Sequence, residues 1–395
     1  MKNEGEKTKI GIVGTGFIAR GLYNLLENSD EFTASVLRTR RKVEEVKGFD
    51  GALITNHNER LIEKSDIIVI CNGNPIHSTP IVREAMEAGK AIVTMDSEFH
   101  VTTGSYFVDK GYITEAEGDQ PGCLAALKGE VLKMGFKPLV YGNMKTFLNR
   151  NPDPESMKYW GEKQGFSMEQ VTSFTDGTKV EIEQVLVANG LQASLLKGGM
   201  IGGDKIYDDF KEGAYFFAEM AEKNNIIMSD FLMSKNNPAF GVFIAARHDE
   251  IQRHGLSTYK LGEGPYYVIE KTYHLCYFEI MKTLINVRGG MTPLLTNGSN
   301  PTYSAAAIAK RNLKPGDEIE RGIGSFDVRG RGVSIDSNPN HVPIGLLFDA
   351  KVKREIREGE PLQFDDIVLP ESEALEIWKK ILEKRRALEK EKEKS

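Results

Sequence analysis

Hydrophobic positions change period several times along the chain. Lys9-Ile10-Gly11-Ile12-Val13 is a short β-branched run ending at Gly14 and Gly16, the pattern of a buried strand entering a tight turn. Ile18, Leu22, Leu25 and Leu26 then fall at i, i+4, i+7 and i+8, which predicts a helix over Phe17 to Glu27 with one apolar stripe. Further strands are expected at Phe32 to Leu37, Asp66 to Cys71 and Ala91 to Met95, with helical stretches between them, notably Pro80 to Ala88. Strands alternating with helices imply a parallel α/β sheet. A helix over about Cys123 to Met134 and a strand over Pro138 to Tyr141 precede the turn residues of Asn149 to Pro154.

From Tyr159 to about Pro301, helices mix with strands such as Gly241 to Ala246 and Tyr266 to Ile269 without regular alternation, an α+β pattern. Between Tyr303 and Pro370 the segments become short, polar and glycine-rich. Two phrases there echo each other, Lys310-Arg311-Asn312-Leu313-Lys314-Pro315-Gly316-Asp317 and Lys353-Arg354-Glu355-Ile356-Arg357-Glu358-Gly359-Glu360. Two copies are too few for a solenoid and read as two turns of one compact β module. A helix follows from Glu371, and Glu383 to Ser395, almost all Lys, Arg and Glu, reads as a solvated, fraying end.

Gly14-x-Gly16-x-x-Ala19 lies between the first strand and its helix, where a dinucleotide-binding βαβ unit carries its glycine fingerprint. Gly14, Thr15, Gly16, Phe17 and Ile18 are therefore candidate cofactor contacts, with the helix N-terminus turned to the pyrophosphate. An acidic residue usually closes the second strand to bind the ribose hydroxyls of NAD; here Arg38, Thr39 and Arg40 stand at that place. Guanidinium groups grip a 2′-phosphate, so NADP is favoured over NAD; the alternatives are a solvated basic loop, or a ribose contact from Asp30 or Glu31. Asn72 and Gly73, after the third expected strand, are further cofactor candidates, while His77 reads as a helix-start or surface residue. The expected organisation is a Rossmann dinucleotide-binding domain over 1–150, an α+β substrate domain over 151–301, the β module over 302–370 and a C-terminal helix and charged tail over 371–395.

For proton chemistry the informative stretch is Asp176-Gly177-Thr178-Lys179-Val180-Glu181-Ile182-Glu183. Thr178-x-x-Glu181 has the spacing of a capping box, which puts Lys179 in the first turn of a helix, against the positive pole of its dipole. A partly desolvated ammonium there has a depressed pKa and suits general acid–base work, with Asp176 or Glu183 to orient it. The alternative is a solvated lysine beside a capped helix. Asp96 and Glu98, two residues apart after a strand, are candidate ligands for Mg²⁺ or Mn²⁺, against a helix cap as the competing role. Lys197 to Lys205 has two glycine pairs between lysines, suited to a mobile loop closing on an anion or to a plain connector.

Composition narrows the field. With 395 residues, 40% apolar and 27% charged, the chain has material for several cores. A net charge of −6 provides no global basic field for nucleic acid or an acidic membrane. Cys71, Cys123 and Cys276 are odd in number and lack metal-ligand spacing, which fits a reducing compartment. Neither an apolar leader nor a run of about 18 apolar residues occurs, so a cytoplasmic protein is expected.

Gly14-Thr15-Gly16, Asp119-Gln120-Pro121-Gly122, Tyr141-Gly142-Asn143-Met144-Lys145 and Phe174-Thr175-Asp176-Gly177-Thr178-Lys179 together resemble the homoserine-dehydrogenase-like oxidoreductases that carry a C-terminal SAF domain, including the DXR-like (DRL-type) members. The resemblance spans nearly the whole chain, and the echoed phrases are similar to the SAF β-clip pattern. It implies Lys179 as the catalytic lysine with Asp176 and Glu183 as acidic partners. Asp96-Ser97-Glu98 is similar to the metal-binding Asp-Ser-Glu of the ordinary reductoisomerases, within a different surrounding pattern. The implied activity is NADP-dependent oxidoreduction of a small hydroxy or oxo substrate. One form is a reductoisomerase yielding 2-C-methyl-D-erythritol 4-phosphate; another is homoserine dehydrogenase. A non-catalytic NADP-binding sensor or assembly protein is the alternative of another class. Small-molecule substrate and self-association are the expected partnerships.

Overall fold

In a computed structural model, which describes residues 6–196, 199–236 and 240–392, the opening β-branched run forms β1 (Thr8–Val13) and the amphipathic stretch behind it α1 (Phe17–Glu27). Next come β2 (Phe32–Arg38), β3 (Leu53–Thr55), α2 (Asn58–Lys64), β4 (Ile67–Ile70), α3 (Pro75–Glu87), β5 (Ala91–Thr94), α4 (Ser97–Thr102) and β6 (Ile113–Glu115). These strands pair in parallel in the order β3-β2-β1-β4-β5-β6. That is the doubly wound order of a dinucleotide-binding sheet. Ile10, Ile12, Val69 and Val93 are fully buried, as central strands covered on both faces require. β3 has three residues, too few for a period to show in the sequence. α3 starts five residues earlier than its periodicity suggests, because Asn74 caps it and Pro75 sits where a missing N–H costs nothing; Pro80 is carried inside the helix.

The chain continues through α5 (Gln120–Lys133), β7 (Lys137–Lys145), α6 (Pro154–Gln164), α7 (Met168–Thr175), α8 (Thr178–Leu191), β8 (Ile206–Tyr207), α9 (Phe210–Lys223), β9 (Met228–Ser234), β10 (Val242–Arg247), α10 (Arg253–Thr258), β11 (Tyr267–Lys271) and α11 (Tyr277–Arg288). β12 (Tyr303–Ala309), β13 (Glu318–Arg321), β14 (Val328–Ser334), β15 (Phe348–Val352), β16 (Ile367–Val368) and α12 (Glu373–Lys392) complete it. Among the described residues no helix is long and apolar enough to cross a membrane.

Two compact units result, one of residues 6–119, 275–300 and 372–392, the other within 120–274 and 301–371. The division differs from the expected cut at residue 150. β7 hydrogen-bonds to β9 and β10, so the second unit begins at α5. α11 returns to the first unit, where the Tyr277 ring lies so close to Gly21 of α1 that a Cβ there would meet it at 2.4 Å. α12 packs on α3, burying Ile377, Trp378 and Ile381. Arg385 is buried as well, so the helix end is not wholly the solvated face expected from Glu383 onward.

The second unit is built on a mixed sheet in the order β11-β10-β7-β9-β8. Val140 and Met144 of β7 join the apolar cluster under α9, with Phe210, Phe217 and Leu232. The alternate positions Tyr141, Asn143 and Lys145 fall on the other face, the side of α8. α8 also packs on the antiparallel ribbon β12–β14, and is buried nearly all round as a result. The ribbon comes close because small residues meet the helix: a Cβ on Gly330 would lie 3.1 Å from Thr178, and one on Gly332 would lie 3.1 Å from Val185. The two echoed phrases prove to be partners. Leu313 and Ile356 exchange backbone hydrogen bonds of 2.8 and 3.0 Å. In the turns beyond them, Asp317 accepts from Lys314 N–H and Glu360 from Arg357 N–H, with Gly316 and Gly359 at φ +93° and +84°.

Candidate functional site

At the C-terminal edge of the parallel sheet, Gly14 has φ +121°, and a Cβ on it would lie 2.8 Å from Cys71 O. Its N–H donates to Arg38 O at 3.0 Å, tying the turn to the end of β2. Gly16 is the N-cap of α1, makes no side-chain cap, and has open space where a Cβ would stand. The first N–H groups of α1 thus face an uncrowded backbone, which fits a pyrophosphate. Thr15 is partly buried in the turn, Phe17 is exposed with its ring edge-on to Tyr277, and Ile18 packs against the core that also buries Ala19.

Arg38 and Arg40 follow on the same edge. Arg38 Nε donates to Asn58 Oδ1 at 3.2 Å, and an Arg40 N–H is directed at His77 Nε2. Burial, then the charge of Arg40, lowers the pKa of Arg38. Thr39 differs from its expected role: it is buried, and its hydroxyl accepts the Arg41 N–H at 3.1 Å, so it builds the turn rather than facing a ligand. Asn56 holds that turn from outside through Thr39 O and Arg41 O. Gly73, at φ +64°, is exposed, whereas Asn72 turns its Oδ1 inward to Asn74 N–H and the Ser78 hydroxyl.

Asp96 and Glu98 do not form the expected cation site. Asp96 is fully buried as the N-cap of α4, accepting from Phe99 N–H at 3.1 Å and from the Ser78 hydroxyl at 3.2 Å. Among the described residues no three His, Cys, Asp or Glu side chains converge as a metal site. Asp96, held in its cap, does not fit a divalent ion. Lys197 and Gly198 of the expected mobile loop lie outside the described residues; its later part is anchored, with the buried Asp230 carboxylate accepting from Ile201 and Gly202 N–H at 2.9 and 3.0 Å.

In the second unit α8 begins at Thr178, but the capping box is absent. Its N-cap is Gly177, at φ +89° and without a side-chain cap. Thr178 and Glu181 instead reach to β14, where the hydroxyl accepts Gly330 N–H at 2.9 Å and the carboxylate accepts Gly332 N–H at 2.8 Å. Burial pushes Glu181 up to about 7, opposed by that N–H and by the charges of Arg329, Arg150 and Arg331. Asp176 is also placed otherwise than expected: its carboxylate pairs with Lys310 at 2.6 Å and caps Thr178 N–H at 2.8 Å, so it does not orient Lys179. Burial raises its pKa against the pull of Lys310.

Glu183 does meet Lys179. Its Oε1 lies 3.7 Å from Lys179 Nζ, and its Oε2 accepts from Asn143 Nδ2 at 3.0 Å. Lys145, one strand period beyond Asn143, donates to Phe174 O. Burial lowers its pKa, countered by the charges of Glu183 and Asp176. A desolvated amine and a second lysine on a buried carboxylate suit proton transfer to or from an oxygen. Asn143, Lys145 and Lys310 were not among the expected site residues. The first two had a signal, polar residues at i and i+2 in an apolar strand; Lys310 had none, being 134 residues from Asp176 in the chain.

Residues 118–280 match the family described as oxidoreductase DRL, catalytic domain, and residues 9–96 match NADP oxidoreductase, coenzyme F420-dependent. Among solved structures, a probable dehydrogenase from Thermotoga maritima is 13% identical with a TM-score of 0.41, over 73% of this chain and 91% of that one. UDP-N-acetylglucosamine 3-dehydrogenase GnnA from Acidithiobacillus ferrooxidans is 12% identical with a TM-score of 0.42, over 74% and 92%. GenD2 from gentamicin A biosynthesis, in complex with NAD, is 14% identical with a TM-score of 0.29; the match covers 38% of this chain and spans 45% of GenD2. No curated protein matches the sequence.

Proposed function

We propose that this chain, an NAD(P)-dependent oxidoreductase by its two family matches, uses NADP(H) to interconvert a carbonyl and a hydroxyl on a small anionic substrate. A bound nicotinamide supplies or takes the hydride. The observation that carries the reading is the placement of Lys179 and Asn143 on the two oxygens of the buried Glu183 carboxylate, with the desolvated Lys145 beside them. Lys179 hands a proton to the substrate oxygen or takes one from it. Glu183 holds the amine, and Asn143 fixes Glu183. Asp176 has a different part: paired to Lys310, it secures the entry to α8.

Arg150, Arg329 and Arg331 lie within electrostatic range of Glu181, and Arg331 Nε is buried without a hydrogen-bond partner. Three guanidinium groups suit a phosphate and disfavour a substrate carrying its own ammonium, which supports a DXR-like sugar-phosphate reaction over oxidation of homoserine. The paired turns around Leu313 and Ile356 support an SAF-like reading of the β module. No step is routed through a divalent ion, since Asp96 is committed to its helix cap.

The test is a panel of sugar phosphates, hydroxy acids and amino alcohols followed at the reduced-nicotinamide absorbance, with and without a chelator. Turnover of a phosphorylated substrate with NADP(H), insensitive to chelation, is expected. Turnover of amino alcohols alone would defeat the substrate assignment, and coenzyme binding without turnover of any class would favour the sensor alternative.

A further inference from the structure

The basic cluster beyond β2 contains a group that is not an arginine. Arg38 closes the strand, Arg40 follows two residues later, and His77 reaches the same place from the first turn of α3. Each is held from behind. Arg38 Nε donates to Asn58 Oδ1, and Asn58 Nδ2 donates to Glu84 Oε2 at 2.9 Å. The turn bearing Arg40 is clamped by Asn56, and the His77 backbone is fixed by the Asn74 cap.

A guanidinium has donors only, so its N–H must donate and His77 Nε2 must accept, which requires a neutral imidazole protonated at Nδ1. Burial, then the charges of Arg40 and Arg38, holds the imidazole pKa down to about 4, so it stays neutral near pH 7. The choice of acceptor has a consequence. A carboxylate at position 77 would orient Arg40 too, but would cancel its charge and repel a phosphate. A neutral nitrogen orients the planar fork without setting a negative charge beside it.

We infer that His77 is a positioning residue for coenzyme choice: as a neutral acceptor it aims Arg40 at the 2′-phosphate of NADP, and so separates NADP(H) from NAD(H). This rests on the reading that a dinucleotide lies across Gly14 and Gly16, with its adenosine ribose at the end of β2.

The experiment is a titration of the full chain with NADPH and with NADH, comparing the unaltered protein with His77→Ala, His77→Gln and His77→Glu. The unaltered protein should prefer NADPH. His77→Ala should weaken NADPH about tenfold, the loss of one charge-assisted hydrogen bond, and leave NADH unchanged. His77→Gln, which restores a neutral acceptor, should recover most of that loss, and His77→Glu should lose the most. A merely structural role would lower both affinities together. The inference is overturned if the ratio of the two affinities survives in His77→Ala and His77→Glu, or if both coenzymes weaken equally. Failure of the unaltered protein to bind either coenzyme would instead remove the dinucleotide reading beneath it.

Discussion

The glycine elbow and the lysine cluster are built in opposite ways. At the elbow, strand, turn and helix are consecutive, and each candidate contact lies within a few residues of a sheet strand's end. The lysine cluster takes Asn143 and Lys145 from β7, Lys179 and Glu183 from α8, and buttresses them with Lys310 and β14. Local sites are set by backbone conformation, which glycines announce. Non-local sites are set by which buried charges find partners, and a sequence does not state its pairs.

The non-local site carries the largest expected effect. Lys179→Met removes the amine but keeps the stem that α8 packs, so kcat should fall by about 10² to 10⁴, the usual range for a general acid or base. Dinucleotide affinity should stay unchanged, since nothing at the elbow is touched. A kcat within a few-fold of the unaltered protein would transfer the proton role to Lys145.

Lys310→Met should show as lost stability, because it leaves Asp176 buried with its charge uncompensated. Breaking a buried pair from one side costs about 3 to 5 kcal/mol, readable in denaturant unfolding. The double variant Asp176→Asn with Lys310→Met should recover much of the loss, since an asparagine carbonyl still caps Thr178 N–H. Equal instability of the single and double variants would show that the pair is not a closed unit.

Glu181 gives a pH signature. Its folded pKa, about 7, stands above the ordinary value of 4.5, so burial favours the protonated form. Its contribution to stability is complete below pH 4.5 and is lost as pH rises through 7. Against Glu181→Gln, the unaltered protein should lose on the order of 3 kcal/mol across that window. Parallel stability curves for the two proteins would place the Glu181 carboxylate in a more polar setting.

Much of the first unit was legible for a physical reason. Periods of 2 and 3.6 are written in runs such as Ile10 to Val13 and Ile18 to Leu26, and a tight turn demands glycine. β3 was too short to register, and α11 joins the first unit through a ring-on-glycine contact at Gly21 that no local pattern encodes. In the second unit, the start of α8 was legible but its capping was misread. Thr178 and Glu181 had the spacing of a capping box, yet both were drawn to the backbone of β14, about 150 residues away, because strand amides facing a buried helix also need acceptors. Asp176 likewise was expected beside Lys179, a few residues away, and its partner is Lys310, distant in sequence.

The smallest expected effect lies at the elbow, where two glycines differ. Gly14 has a positive φ and no room, since a Cβ would stand 2.8 Å from Cys71 O; Gly16 has an extended backbone at φ −81° and nothing within 4 Å. Gly14→Ala should therefore strain the fold itself. Gly16→Ala should leave thermal unfolding unchanged, because alanine tolerates both the backbone and the space. The methyl would occupy volume that a pyrophosphate needs to approach the first N–H groups of α1, so affinity for NADPH and NADH alike should fall about tenfold. That common loss distinguishes the phosphate cradle from the Arg40 and His77 end, where only the coenzyme bearing the 2′-phosphate is affected. If Gly16→Ala binds both coenzymes as well as the unaltered chain does, the open space at the elbow is not where the pyrophosphate lies.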